Sequence, residues 1–93
     1  MKRFVIDCST VRTAEEFWQA YLDVVEPQGA ELFGRNLDAF NDALAGGPGF
    51  PGECELSLVN SAVLGGVGNG TLLRALREIA SEPGNETVTV VLR

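Results

Sequence analysis

Residues 33–46 read Phe33-Gly34-Arg35-Asn36-Leu37-Asp38-Ala39-Phe40-Asn41-Asp42-Ala43-Leu44-Ala45-Gly46. Asn36 is a good helix N-cap, because its side-chain oxygen can accept from an amide that the first turn leaves unpartnered. Leu37, Phe40 and Leu44 follow at three- and four-residue spacing, the buried stripe of a helix over about Leu37 to Ala45. Asp38 and Asp42 fall on the far side. Gly46-Gly47-Pro48-Gly49-Phe50-Pro51-Gly52 stops the helix and makes an irregular turn.

Working upstream, Pro27 to Gly34 reads as a loop. Before it, Thr13-Ala14-Glu15-Glu16 is a capping box that opens a helix running to about Val25. Phe17, Ala20, Tyr21, Val24 and Val25 are its expected buried stripe, and Glu26-Pro27 ends it. Arg3 to Asp7 is a short strand centred on Val5 and Ile6. Downstream, Glu55 to Asn60 alternates Leu56 and Leu58 with polar neighbours and reads as a second strand. Gly65 to Gly70 leads into a helix from Thr71 to about Ala80 with Leu72, Leu73, Leu76 and Ile79 inward. Glu82-Pro83-Gly84-Asn85 is a turn, and Thr87 to Leu92 a third strand. The order β-α-α-β-(short helix)-α-β predicts an α/β protein, because strands separated by helices pair in parallel through right-handed crossovers.

The 93 residues make one domain, since two halves would each be too small to bury a core. Hydrophobic residues are 45% and charged residues 22%, which excludes disorder as the default state. Thirteen acids against seven bases give a net charge of −6 and a pI near 4.4. Such a surface repels nucleic acid and anionic membrane. A protein with a basic cleft is the more natural partner, although acidity also serves plain solubility. The apolar run Phe4-Val5-Ile6 is too short for a signal-peptide core, and no segment approaches the ~20 apolar residues of a membrane span. The expected location is the cytoplasm. Cys8 and Cys54, near opposite ends of neighbouring strands, are expected to be free thiols; no histidine exists to activate them.

Several motifs invite chemistry. The run Gly66-Val67-Gly68-Asn69-Gly70 before a helix suggests a phosphate loop, but it is not G-x-G-x-x-G and no Lys follows, so a flexible turn is the simpler reading. Asn69-Gly70-Thr71 and Asn85-Glu86-Thr87 match the glycosylation pattern, without consequence in a cytoplasmic chain. Asp38 and Asp42 stand four apart on one helix face, where like charges cost a few tenths of a kcal/mol. Leu32, Phe33 and Gly34 give that face an apolar, close-approach edge. Three readings remain open on spacing alone: a solvated acidic surface, a protein-binding face, and a small hydrolase using both carboxylates as acid and base. A metal site is a fourth, poorly served by two carboxylates on one helix and no histidine.

Residues 33–46 resemble the signature of the barstar family, an aromatic-Gly-x-Asn-Leu-Asp-Ala-x-x-Asp-x-Leu-x-Gly pattern. Weaker likeness covers nearly the whole chain, including the N-terminal strand, the pair Arg77-Glu78 and the closing Val88-Thr89-Val90-Val91-Leu92. The resemblance implies a three-stranded parallel sheet packed by three to four helices. It also implies an intracellular inhibitor of a secreted microbial guanyl-specific ribonuclease, bound one to one, with no catalysis, cofactor or small-molecule substrate. In the family the second helix and the loop before it enter the nuclease cleft. Asp42 matches the aspartate that sits where the substrate phosphate would, against the enzyme's arginines and catalytic histidine. Asp38 matches a contact to nearby basic groups, Gly34 and Asn36 shape the loop, Gly46 lies at the contact edge, and Glu78 is a peripheral acidic contact. The expected partner-binding set is Leu32, Phe33, Gly34, Asn36, Leu37, Asp38, Asn41, Asp42, Gly46 and Glu78.

The chemistry suits such a role, since a carboxylate offers the pair of acceptors that a guanidinium fork grips. Two positions depart from the pattern. Leu32 stands where the family often has an aromatic, and Asn41 replaces a bulky aromatic before the second aspartate. The acidic centre of the face is kept while its aromatic flank is reduced. A target other than a ribonuclease, bound by the same fold as a regulator or immunity protein, is the remaining alternative to the hydrolase.

Overall fold

The computed structural model describes residues 2–81 and 87–93. Strand β1 is Lys2–Asp7, helix α1 Ala14–Val25, helix α2 Leu37–Leu44, strand β2 Cys54–Val59, helix α3 Thr71–Ser81 and strand β3 Val88–Leu92. Short 3-10 turns occupy Ala30–Leu32, Ser61–Gly66 and Gly68–Gly70. The expected turn at 82–85 and the pattern beginning at Asn85 lie outside the described residues.

The three strands form one parallel sheet in the order β1-β2-β3. Lys2 stands opposite Cys54 and Asp7 opposite Val59; on the other side Cys54 faces Val88 and Leu58 faces Leu92. Side chains alternate across a strand, so Ile6, Leu56, Leu58, Val88 and Val90 share one face and are buried there. The opposite face carries Val5, 51% exposed, and an ion pair in which Arg3 Nε lies 2.8 Å from Glu55 Oε2. Parallel sheets are normally covered on both faces. This one packs its apolar side chains on one face, and the other carries polar groups such as Glu55 and Ser57, the latter buried beneath Arg93, which is why Leu56 and Leu58 alternate with polar neighbours.

The caps read from sequence are present. Thr13 Oγ1 accepts from the Glu16 amide at 3.1 Å, and Glu16 Oε1 accepts from the Thr13 amide at 3.3 Å. The α1 stripe is rotated from the expected one: Phe17, Trp18, Tyr21 and Val25 are buried, while Val24 is 39% exposed and Ala20 only half-buried. The reason is nonlocal, because Trp18 is drawn toward aromatic rings from another part of the chain. Its ring centroid lies 5.9 Å from Phe33 and 5.5 Å from Phe40, and Tyr21 lies 5.7 and 5.4 Å from the same two rings. Pairs at such distances add roughly 0.5–1.5 kcal/mol each beyond the area they bury.

That aromatic cluster holds α2 in place. An isolated eight-residue helix is unstable in water, and α2 is eight residues long. It is fixed by Phe40, Ala43 and Leu44, all buried. The 3-10 turns Ser61–Gly66 and Gly68–Gly70 lead into α3, whose Leu72, Leu73, Leu76 and Ile79 face the core as expected. Cys8 and Cys54 are buried free thiols at opposite ends of the β1–β2 pair.

Candidate functional site

The site is built from the loop at 33–36 upward. Asn36 Oδ1 accepts from the Ala39 amide at 2.7 Å, capping α2, and its Nδ2 donates to the Gly34 carbonyl at 3.2 Å. One side chain therefore starts the helix and ties down the residue two before it. Gly34 belongs there for space: a Cβ would stand 3.1 Å from the Ala39 Cβ. The loop is thus shaped by contacts within the chain itself.

The far end of α2 is fixed by two glycines that sequence reasoning did not single out. Gly47 N–H donates to the Asp42 carbonyl at 2.8 Å, and a Cβ on Gly47 would come within 2.9 Å of that oxygen. Gly49 has a φ of +89° and lies against the Phe33 ring, where a Cβ would meet Cδ1 at 3.0 Å. Its carbonyl accepts from the Tyr21 hydroxyl at 2.7 Å. These contacts join the loop before α2 to the loop after it through the aromatic cluster. No sequence signal separates Gly47 and Gly49 from the other glycines of the 46–52 run, since both requirements come from distant residues.

The expected site residues divide into two groups. Asp38, Asn41, Asp42, Gly34, Asn36 and Gly46 are exposed, and Leu32 is 71% exposed. Phe33 is only 6% exposed and belongs to the core, correcting its expected place on the apolar edge; an aromatic ring in a loop gains more by joining Trp18 and Tyr21 than by facing water. Leu37 is half-buried. Glu78 is exposed on α3, a separate element that packs beside α2.

Asp38 and Asp42 are one helical turn apart, and among the described residues neither takes part in an ion pair. No group of three or more His, Cys, Asp or Glu that could hold a metal ion occurs among the described residues. Neither Asp38 nor Asp42 lines the cleft of about 620 Å³ beside Lys2, Phe4, Glu26, Gly46 and Phe50, the one of about 260 Å³ beside Trp18, Arg35, Asn36 and Leu37, or the one of about 250 Å³ beside Asp7, Val11 and Asp23. Two carboxylates one turn apart on an exposed helix face offer a pair of acceptors to whatever meets that face.

One parallel sheet of three strands with crossover helices, and an acidic helix α2 held by aromatic rings of α1, defines a small α/β protein with an exposed acidic helix face. A comparison with protein families then places it. The chain belongs to the Barstar family, Barstar (barnase inhibitor), whose model matches residues 1–92. Comparison with curated proteins finds no match.

Proposed function

We propose that this protein is an intracellular inhibitor of a secreted microbial guanyl-specific ribonuclease, binding it one to one and blocking its active site with α2 and the loop before it. The observation that carries the reading is the pair Asp38 and Asp42. Both are exposed and unpaired among the described residues, on a helix that the aromatic cluster holds rigid, in a member of the Barstar family. A ribonuclease cleft holds phosphate and is lined with cations. A carboxylate set rigidly in that cleft takes the place of phosphate without being cleaved.

In this reading Asp42 is the central anchor and Asp38 a flanking one. Leu32, Asn41 and Gly46 surround them, Asn36 and Gly34 hold the loop in shape, and Glu78 lies at the rim. Phe33 and Leu37 act from beneath by fixing the loop. The inhibitor acts by binding alone, with no cofactor and no bond made or broken. The site of action is the cytoplasm; no helix among the described residues is long and apolar enough to cross a membrane.

The test is Asp42→Ala, measured by titrating ribonuclease activity with inhibitor. The substitution removes no core packing, so the melting curve should match the parent or rise slightly as the repulsion with Asp38 is relieved. Binding should weaken by about 2–5 kcal/mol, mainly through faster dissociation, because the enzyme's cations would face a methyl group. Asp38→Ala should cost less and Glu78→Ala less again. Equal inhibition by Asp42→Ala and the parent would overturn the phosphate-mimic reading.

A further inference from the structure

Arg35, between Gly34 and Asn36, has a φ of +52°. That is the left-handed region, where an L residue crowds its own Cβ against the backbone and glycine fits freely. The side chain is exposed and forms no ion pair among the described residues. A strained backbone that carries an uncommitted cation, at the edge of the proposed binding face, is an outlier that points toward function.

Beside Arg35 lies the cleft of about 260 Å³, floored by Ala14, Trp18, Leu37, Val67 and Leu72. Its walls come from the start of α1, the start of α2 and the approach to α3. Small-molecule sites run roughly 300–1,000 Å³, so this hollow suits a single side chain better than a substrate. It borders the proposed face, since Asn36 and Leu37, which shape the start of α2, also line the hollow.

We propose that Arg35 and this hollow form a second recognition element for the ribonuclease, opposite in polarity to Asp38 and Asp42. The hollow takes one apolar side chain from a surface loop of the enzyme, and Arg35 grips a carboxylate beside that side chain. The inference rests on the ribonuclease-inhibitor reading. The charge argument selects the occupant. A cation facing a uniformly basic cleft would oppose binding through like-charge repulsion. Facing an acidic residue at the cleft's border, the same cation becomes favourable and bidentate. The pairing also serves discrimination: enzymes that share a phosphate-binding centre but lack the acid and its apolar neighbour would leave Arg35 unmatched.

The experiment uses the full chain and, from a set of guanyl-specific ribonucleases, the one the parent inhibits most tightly. Inhibition titrations, stopped-flow rates and melting curves are compared for the parent, Arg35→Gly, Arg35→Glu, Ala14→Phe and Asp42→Ala. Arg35→Gly relieves the backbone and should fold as well as the parent, yet dissociate roughly tenfold faster; Arg35→Glu should weaken binding roughly a hundredfold. Ala14→Phe fills the hollow from the solvent-exposed end of α1 and should weaken binding roughly tenfold through lost complementarity. If Arg35→Gly and Arg35→Glu inhibit as well as the parent while Asp42→Ala fails, the second element is refuted and the α2 reading stands. If Asp42→Ala also inhibits like the parent, or if the parent inhibits none of the enzymes, the α2 reading falls and the second element falls with it.

Discussion

Replacing Asn36 by alanine should destabilise the free protein by about 1.5 kcal/mol. The substitution removes two contacts: the 2.7 Å bond from the Ala39 amide, which caps α2, and the 3.2 Å bond to the Gly34 carbonyl. Losing an N-cap costs about 0.5–2 kcal/mol, typically ~1. The second bond is exposed, so its net worth sits near ~0.5 kcal/mol, the lower end for hydrogen bonds in folding. For a domain of this size the sum lowers the melting temperature by roughly 6–12 °C. Asn36→Ser separates the two contacts. Serine caps as well as asparagine but is too short to reach Gly34, so it should lose only about 0.5 kcal/mol. The assay is thermal and urea unfolding followed by circular dichroism, with the urea slope unchanged. Inhibition by the Ser variant should nonetheless weaken, because a looser loop must be ordered on binding. A melting point for Asn36→Ala within a degree or two of the parent would refute the reasoning. So would Asn36→Ser losing as much as Asn36→Ala.

Gly49→Ala should be more damaging than its surface loop suggests. Its φ of +89° strains any side chain by about 1–3 kcal/mol, and the new methyl would press on the Phe33 ring; urea unfolding checks this, with Gly46→Ala, open to space but likewise at positive φ, as the control. Cys8 should resist alkylation at pH 8 until the protein unfolds, because burial, with a smaller push from the Asp7 charge, raises its thiol to about 11. Cys54 is raised by burial too, so rapid reaction of either thiol in the native protein would contradict the placement. Asp7 accepts from Asn60 Nδ2 and from the Ser9 amide, both at 2.9 Å, and these bonds hold its carboxyl below the ordinary value of 3.8. A depressed carboxyl stabilises the fold above its unfolded pKa and loses that effect as pH falls through the folded one. Asn60→Ala should therefore narrow the stability gap to the parent as pH drops below about 4; a gap constant from pH 7 to pH 2 would exclude the link.

What the sequence revealed best was local. The Thr13–Glu16 capping box and the Asn36 cap each close within three residues, so the residue types and spacing are enough to specify them. The parallel order was legible because each pair of strands is separated by a helix. Trp18 was not, because the stripe 17-20-21-24-25 and the stripe 17-18-21-25 both satisfy helical spacing. Only the positions of Phe33 and Phe40, far along the chain, decide between them. Phe33 was misplaced for the same reason, since a loop aromatic beside a proposed face looks exposed until the ring partners on α1 are known. Gly47 and Gly49 were invisible because each is required by an atom outside its own turn, the Asp42 carbonyl and the Phe33 ring.

These hidden contacts explain how the free protein tolerates the acidic pair. Repulsion between Asp38 and Asp42 costs about 0.2–0.5 kcal/mol, and a helix of eight residues has little intrinsic stability to set against it. The opposing term lies on the other side of α2, where Phe40 meets Trp18 and Tyr21 while Phe33 meets the same two rings. At roughly 0.5–1.5 kcal/mol for each aromatic pair, in addition to buried area, that side outweighs the repulsion several-fold. Stability and charge are therefore carried by opposite faces of one helix. Substitutions at Asp38 or Asp42 should change binding and leave folding nearly untouched, whereas Phe40→Ala should cost about 3–5 kcal/mol of stability and carry the acidic face away with it.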